Sequence, residues 1–167
     1  MPAVPAPESL ESDFAFYTRK ATEQPGRYHA FTSHPVDYRT LERLDRYDPP
    51  ARAARFGVWM RANGTMPDDP GVHAQMLAYM SDSYLMSTAL LPHAIAHDNP
   101  ALQSASLDHA LWFYADFRAD EWLYYHLASP LAGGGRGLNI GHVYTRDGRL
   151  VAAAAQEGLI RRVAAPG

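Results

Sequence analysis

The chain has 167 residues, a formal net charge of −3 and a pI near 6.2. One domain with a sizeable core is expected, with no electrostatic case for nucleic acid or an anionic membrane as partner. It carries no cysteine, which rules out a disulfide framework, a thiolate nucleophile and a zinc site built on sulfur.

Residues 1–30 read as a linker-like N-terminal segment and residues 31–167 as the folded domain. The start, MPAVPAPESLESD, has neither the basic opening nor the apolar stretch of a secretory signal. No apolar run along the chain is long enough for membrane insertion, so a cytoplasmic protein is the expectation. Residues 1–12 are rich in proline and in small or acidic residues, as in an extended linker. DFAFYTRKATEQ predicts a short helix over 13–24, capped by Ser12 or Asp13 and stopped by Pro25 and Gly26. After His34-Pro35, VDYRTLERL and ARFGVWMRA have the β-branched and aromatic content of two strands, with DPP between them. One long helix is then expected from Pro70 to Leu90, roughly 30 Å at 1.5 Å per residue. Asp68 or Asp69 caps it, Pro70 suits its first turn and Pro92 lies just beyond its end. Four antiparallel strands follow, SASLDHALWFY, EWLYYHLASP, LNIGHVYT and LVAAAAQEGLIRR, set apart by FRAD, GGGRG and RDG. Asp-Gly in RDG tolerates the positive φ of a tight hairpin. The fold class expected is α+β, a single hot-dog fold in which a curved antiparallel sheet wraps around one long central helix. The alanines of VAAAAQEGLI would let a strand approach that helix closely.

Among polar groups, Asp82 in LAYMSDSYLMSTAL stands out. On a continuous helix it shares a face with Ala78, Leu85, Met86 and Ala89, so burial is expected. A lone ionised carboxylate there is costly unless it is paired, hydrogen-bonded or kept for chemistry. Gln156 falls with Leu150, Ala152, Ala154 and Ile160 on one face of the last strand, a second polar group pointing inward. Asp108 and His109 are adjacent on a predicted strand, which points them to opposite faces; they and His142 are read as structural. His93 and His97 have the spacing of helical metal ligands but follow Pro92 and lack a third ligand, so they are read as loop residues and no metal is expected. Trp112, Phe113, Tyr114, Trp122, Tyr124 and Tyr125 are read as core and sheet-face packing. GGGRG lies between strands with no helix after it, which makes it a loop and not a phosphate cradle.

Three stretches, DDPGVHAQMLAYMSD, SASLDHALWFYADFRADEWLYYHLASPLAGGGRGL and VYTRDGRLVAAAAQEGLIR, resemble in order and spacing the second half of the acyl-CoA thioesterase II family. The resemblance runs from about His34 to about Arg162. Members carry two hot-dog domains in one chain, and nothing in this sequence resembles the first. The resemblance implies a homodimer, or pairing with another hot-dog domain. It also implies hydrolysis of a fatty acyl-CoA substrate to free acid and CoA with no cofactor, carried by Asp82, Ser106 and Gln156; members more often have Thr at the Ser106 position. The residue types suit the reaction: a carboxylate can accept a proton from the attacking water, while a hydroxyl and an amide hold that water in line. Arg136, in the glycine run, is a candidate contact for a CoA phosphate. The alternative is a non-catalytic half that binds an acyl ligand or assembles with a separate hot-dog subunit.

Overall fold

The computed structural model of the chain describes residues 1–26, 28, 34–43, 49–96 and 99–163. Helix α1, Asp13–Glu23, opens with the Ser12 hydroxyl accepting the Ala15 N–H (3.1 Å) and stops before Pro25 and Gly26. Strands β1, Val36–Thr40, and β2, Arg55–Ala62, form an antiparallel pair. Helix α2, Pro70–Ser81, starts where Asp69 Oδ1 accepts the Gly71 N–H (2.8 Å) and Pro70 fixes the first turn. It does not run on to Leu90. After a turn at 82–84, a second helix, α3, covers Leu85–Leu90.

Strands β3, Leu102–Ser106, and β4, Ala110–Phe113, come next. The last three are β5, Leu123–Gly133; β6, Arg136–Thr145; and β7, Leu150–Arg162. One antiparallel sheet runs β1-β2-β5-β6-β7, and both β3 and β4 pair with the far side of β7. Where one strand, SASLDHALWFY, is expected, two therefore stand. The cause lies at Asp108, whose carboxylate accepts the Glu157 N–H (2.8 Å) while Leu107 N–H donates to Glu157 O (2.9 Å). A side chain occupies a place in the ladder that backbone would fill. The glycine run makes a tighter link than a loop. Gly133 pairs with Arg136, and Gly134 and Gly135, at φ of 61° and 80°, form a two-residue hairpin turn.

The sheet curves around the helices in the hot-dog layout. Leu77, Met80, Leu85 and Leu91 pack on Val58, Met60, Tyr125, Leu127 and Val143, with Ala152 and Ala154 of β7 against the same core. Small residues set the approach: a Cβ on Gly137 would lie 2.6 Å from Ala89 Cβ, so α3 sits where only glycine leaves room. On the outer face, Trp59, Trp122 and Tyr124 cluster with Val4 and Leu10. Trp59 Nε1 donates to Pro5 O (2.9 Å), so residues 1–12, extended except for the turn Pro7–Ser9, lie on the sheet. Trp122, Tyr124 and Tyr125 are buried as expected. Trp112, Phe113 and Tyr114 instead are about half exposed, because β4 is an edge strand that none of the described residues covers.

Candidate active site at the helix break

A continuous helix would send the N–H groups of Tyr84 and Leu85 to the carbonyls of Met80 and Ser81. Both carbonyls are taken by the sheet. Tyr38 of β1 donates its hydroxyl to Met80 O (3.2 Å) and shares a 2.8 Å hydrogen bond with the Ser83 hydroxyl, while Tyr125 of β5 donates to Ser81 O (3.1 Å). Burial pushes both phenols well above their ordinary pKa, which keeps them as donors. Ser-Asp-Ser has weak helix preference, and the chain turns through Tyr84 at φ 65°, the left-handed region. The Tyr84 ring packs against Tyr38 and Phe56, with centroids 5.5 and 5.4 Å away. Its hydroxyl donates to Asp13 of α1.

This break changes the environment of Asp82. The carboxylate stands at the C-terminal end of α2, where the helix dipole disfavours negative charge. Its side chain is 63 % exposed, and Ala78, an expected face-mate, is exposed as well. The expectation of a buried apolar face is corrected: helical periodicity ends at Ser81, so the face never forms around Asp82.

Gln156 is buried as expected, at 1 % exposure, and donates from Nε2 to Asp82 Oδ1 at 2.7 Å. Neighbouring Asn139, directly across on β6, is likewise buried. Ser106 ends β3 opposite Gly158 and so faces the same side as Gln156, two residues along β7. It is exposed, and it hydrogen-bonds neither Asp82 nor Gln156. Arg136 begins β6; its guanidinium is exposed and reaches Glu157 at 3.2 Å.

One residue joins the site against expectation. His109 Nδ1 lies 3.0 Å from Gln156 Nε2 and 3.8 Å from Asp82 Oδ1, and its Nε2 lies 3.0 Å from Ser81 Oγ. Strand alternation would put it on the face opposite Asp108, with no fixed relation to Gln156, but His109 stands in the gap between β3 and β4, where alternation does not hold. Asp108 remains structural, through its bond to Glu157. His142 pairs across with His126 and is not part of the cluster. His93 ends a short turn, Leu91–His93, and His97 lies outside the described residues. Among the described residues no three His, Asp or Glu side chains are placed to hold a metal ion, and no helix is long and apolar enough to cross a membrane.

Comparison with known proteins places the chain in a family. Residues 29–159 match the family model described as acyl-CoA thioesterase. Human acyl-coenzyme A thioesterase 8 is 38 % identical over 176 residues, covering 96 % of this chain and 53 % of that protein. The crystal structure of the acyl-CoA thioesterase II TesB2 from Mycobacterium marinum superimposes with a TM-score of 0.74 at 42 % identity, over 98 % of this chain and 56 % of that one. A hot-dog protein of unknown function from Alicyclobacillus acidocaldarius shares the fold at a TM-score of 0.66 and 17 % identity, covering 98 % of this chain and 55 % of that one. The chain thus spans about half the length of the human and mycobacterial relatives. With its hot-dog fold and a family match over most of its length, the chain belongs to the acyl-CoA thioesterase family.

Proposed function

We propose that this chain hydrolyses fatty acyl-CoA thioesters to the free acid and CoA, with Asp82 as the base that accepts a proton from the attacking water. The observation that carries this is the Gln156 amide held 2.7 Å from one oxygen of an otherwise exposed carboxylate. Asp82 Oδ2 takes no hydrogen bond from the described residues, so it faces solvent ready to accept a proton. The water oxygen bonds to the thioester carbon, the C–S bond breaks, and the departing sulfur regains a proton as the thiol. Ser106, on the same face as Gln156, supplies the second group that orients the water. Arg136 is the group proposed for a CoA phosphate, exchanging its exposed pairing with Glu157 for a more highly charged partner.

The exposed aromatic edge formed by Trp112, Phe113 and Tyr114 of β4 and the residue after it belongs to the same proposal. An unpaired apolar edge strand is a template for another chain, and a second copy can cover it by a two-fold contact. Such a pair restores the two-domain size of the relatives. The test is release of free thiol by the pure protein from acyl-CoAs of graded chain length, with the mass in solution measured in parallel. Thiol and fatty acid in equal amounts, from a species of about twice 18.5 kDa at micromolar concentration, are expected. A dimer that releases no thiol at any chain length would overturn the hydrolytic assignment and leave an acyl-binding or assembly half.

A further inference from the structure

The atoms around Gln156 determine one another. Its Nε2 stands 2.7 Å from Asp82 Oδ1. With the amide reversed, a carbonyl oxygen would face a carboxylate oxygen at that distance, so the NH2 must point to Asp82. The second hydrogen of that NH2 then points to His109 Nδ1 at 3.0 Å. A ring nitrogen facing an N–H donor must accept, which leaves the imidazole neutral with its proton on Nε2. That Nε2–H meets Ser81 Oγ at 3.0 Å, and the Ser81 hydroxyl hydrogen goes to Ala78 O at 3.2 Å. Every donor in the chain from Asp82 through Gln156, His109 and Ser81 to the backbone of α2 finds an acceptor. Ser81 is fully buried and the His109 side chain is 22 % exposed, so water competes weakly for these bonds.

Backbone geometry fixes the ring in place. Asp108 and Leu107 clamp the backbone of Glu157 from the gap between β3 and β4, which sets His109 beside Gln156. We propose that His109 is the positioning residue of this site: as the neutral Nε2–H tautomer it accepts from Gln156 and so keeps the other amide N–H aimed at Asp82. Its Nδ1 is occupied by a donor and does not itself take the water's proton. Without that acceptor, the Gln156 amide loses the partner that fixes its rotation, and the reversed amide would repel the carboxylate.

This inference rests on Asp82 being the base proposed above, and the experiment keeps the two apart. In His109→Asn a side-chain oxygen falls near the position of Nδ1, so the acceptor is retained; His109→Gln places its amide near Nε2 and loses that acceptor. Thiol release should persist in His109→Asn within about threefold, while His109→Gln and His109→Ala lose roughly tenfold or more in kcat with KM little changed, the scale of one lost orienting hydrogen bond. Equal losses in the Asn and Gln variants would overturn the proposal in favour of packing alone. An Asn variant as inactive as the Ala variant would overturn it in favour of the imidazole as proton acceptor. Nitrogen-15 chemical shifts of the labelled histidine ring give a readout independent of turnover. Wild-type protein at pH 8 should show protonated Nε2 and bare Nδ1, and the opposite tautomer would overturn the proposal even in a protein that hydrolyses acyl-CoA. Should wild type release no thiol, the same spectra still decide the tautomer, and only the hydrolytic assignment falls.

Discussion

At the scale of single residues, the carboxylate that burial penalises is Asp13, not Asp82. Asp13 opens α1, is 7 % exposed, and holds Arg43 at 2.5 Å as well as the Tyr84 hydroxyl. Loss of solvation outweighs the attraction of Arg43 and raises its pKa to about 6. A raised folded-state pKa means that the protonated form suits the fold, so the stabilisation is complete below the unfolded value near 3.8 and is lost as pH rises through about 6. Above that pH the ionised group costs the fold up to about 3 kcal/mol relative to acid, at 1.36 kcal/mol per unit. Asp13→Asn keeps an oxygen for Tyr84 and carries no charge to desolvate. Its stability relative to wild type should therefore rise between pH 4 and pH 7, measured by urea denaturation at each pH. A difference flat across that range would show that Arg43 fully offsets the burial. The sequence marks Asp82 as an unusual carboxylate in a greasy stretch, and the structure sets it beside Gln156. Its exposure was not legible, because periodicity cannot show where a helix stops. His109 was missed for a related reason: alternation assumes an unbroken strand, and the break depends on a side-chain bond from Asp108 to Glu157.

At the scale of elements, the turn between α2 and α3 is the feature on which the site depends. Tyr38 and Tyr125 take the carbonyls of Met80 and Ser81, and Tyr84 adopts the left-handed conformation that ends one helix and begins the next. Tyr125 reaches Ser81 across a glycine of β6 that lies diagonally from it: Gly141 pairs with Leu127, and a Cβ on it would lie 2.2 Å from the Tyr125 ring. Tyr125→Phe leaves Ser81 O buried without its donor, which should destabilise the protein by about 1–3 kcal/mol. It should also lower thiol release, since the turn that carries Asp82 loses one of its ties. Denaturation and steady-state rates on the same preparation check both effects, and a variant as stable and as active as wild type would show that the tyrosine is packing only. The outer limits of this region were legible from Pro70 and Pro92. The break was not, since the hydroxyls that impose it come from β1 and β5, far away in sequence.

At the scale of the molecule, the order of two strands, a helical region and a strand-rich second half was legible from composition and punctuation, and it suffices to specify a sheet that wraps a helix. The roles proposed for Asp82, Ser106 and Gln156 come from the resemblance alone. The structure brings Asp82 and Gln156 into contact, and it leaves Ser106 exposed on the shared face at the β3 end. Residues 1–12 lie along the outer face through Trp59 and through an ion pair between Glu8 and Arg146 at 2.6 Å, contacts that their composition does not reveal. In the proposed reaction Asp82 takes the proton of the water that attacks the thioester. Thiol release by wild type and by Asp82→Asn, with circular dichroism to confirm equal folding, measures it most directly. Substitution should lower kcat by about 10²-fold or more while the fold persists, the usual scale for loss of a general base. A folded Asp82→Asn protein that releases thiol at the wild-type rate would exclude Asp82 as that base.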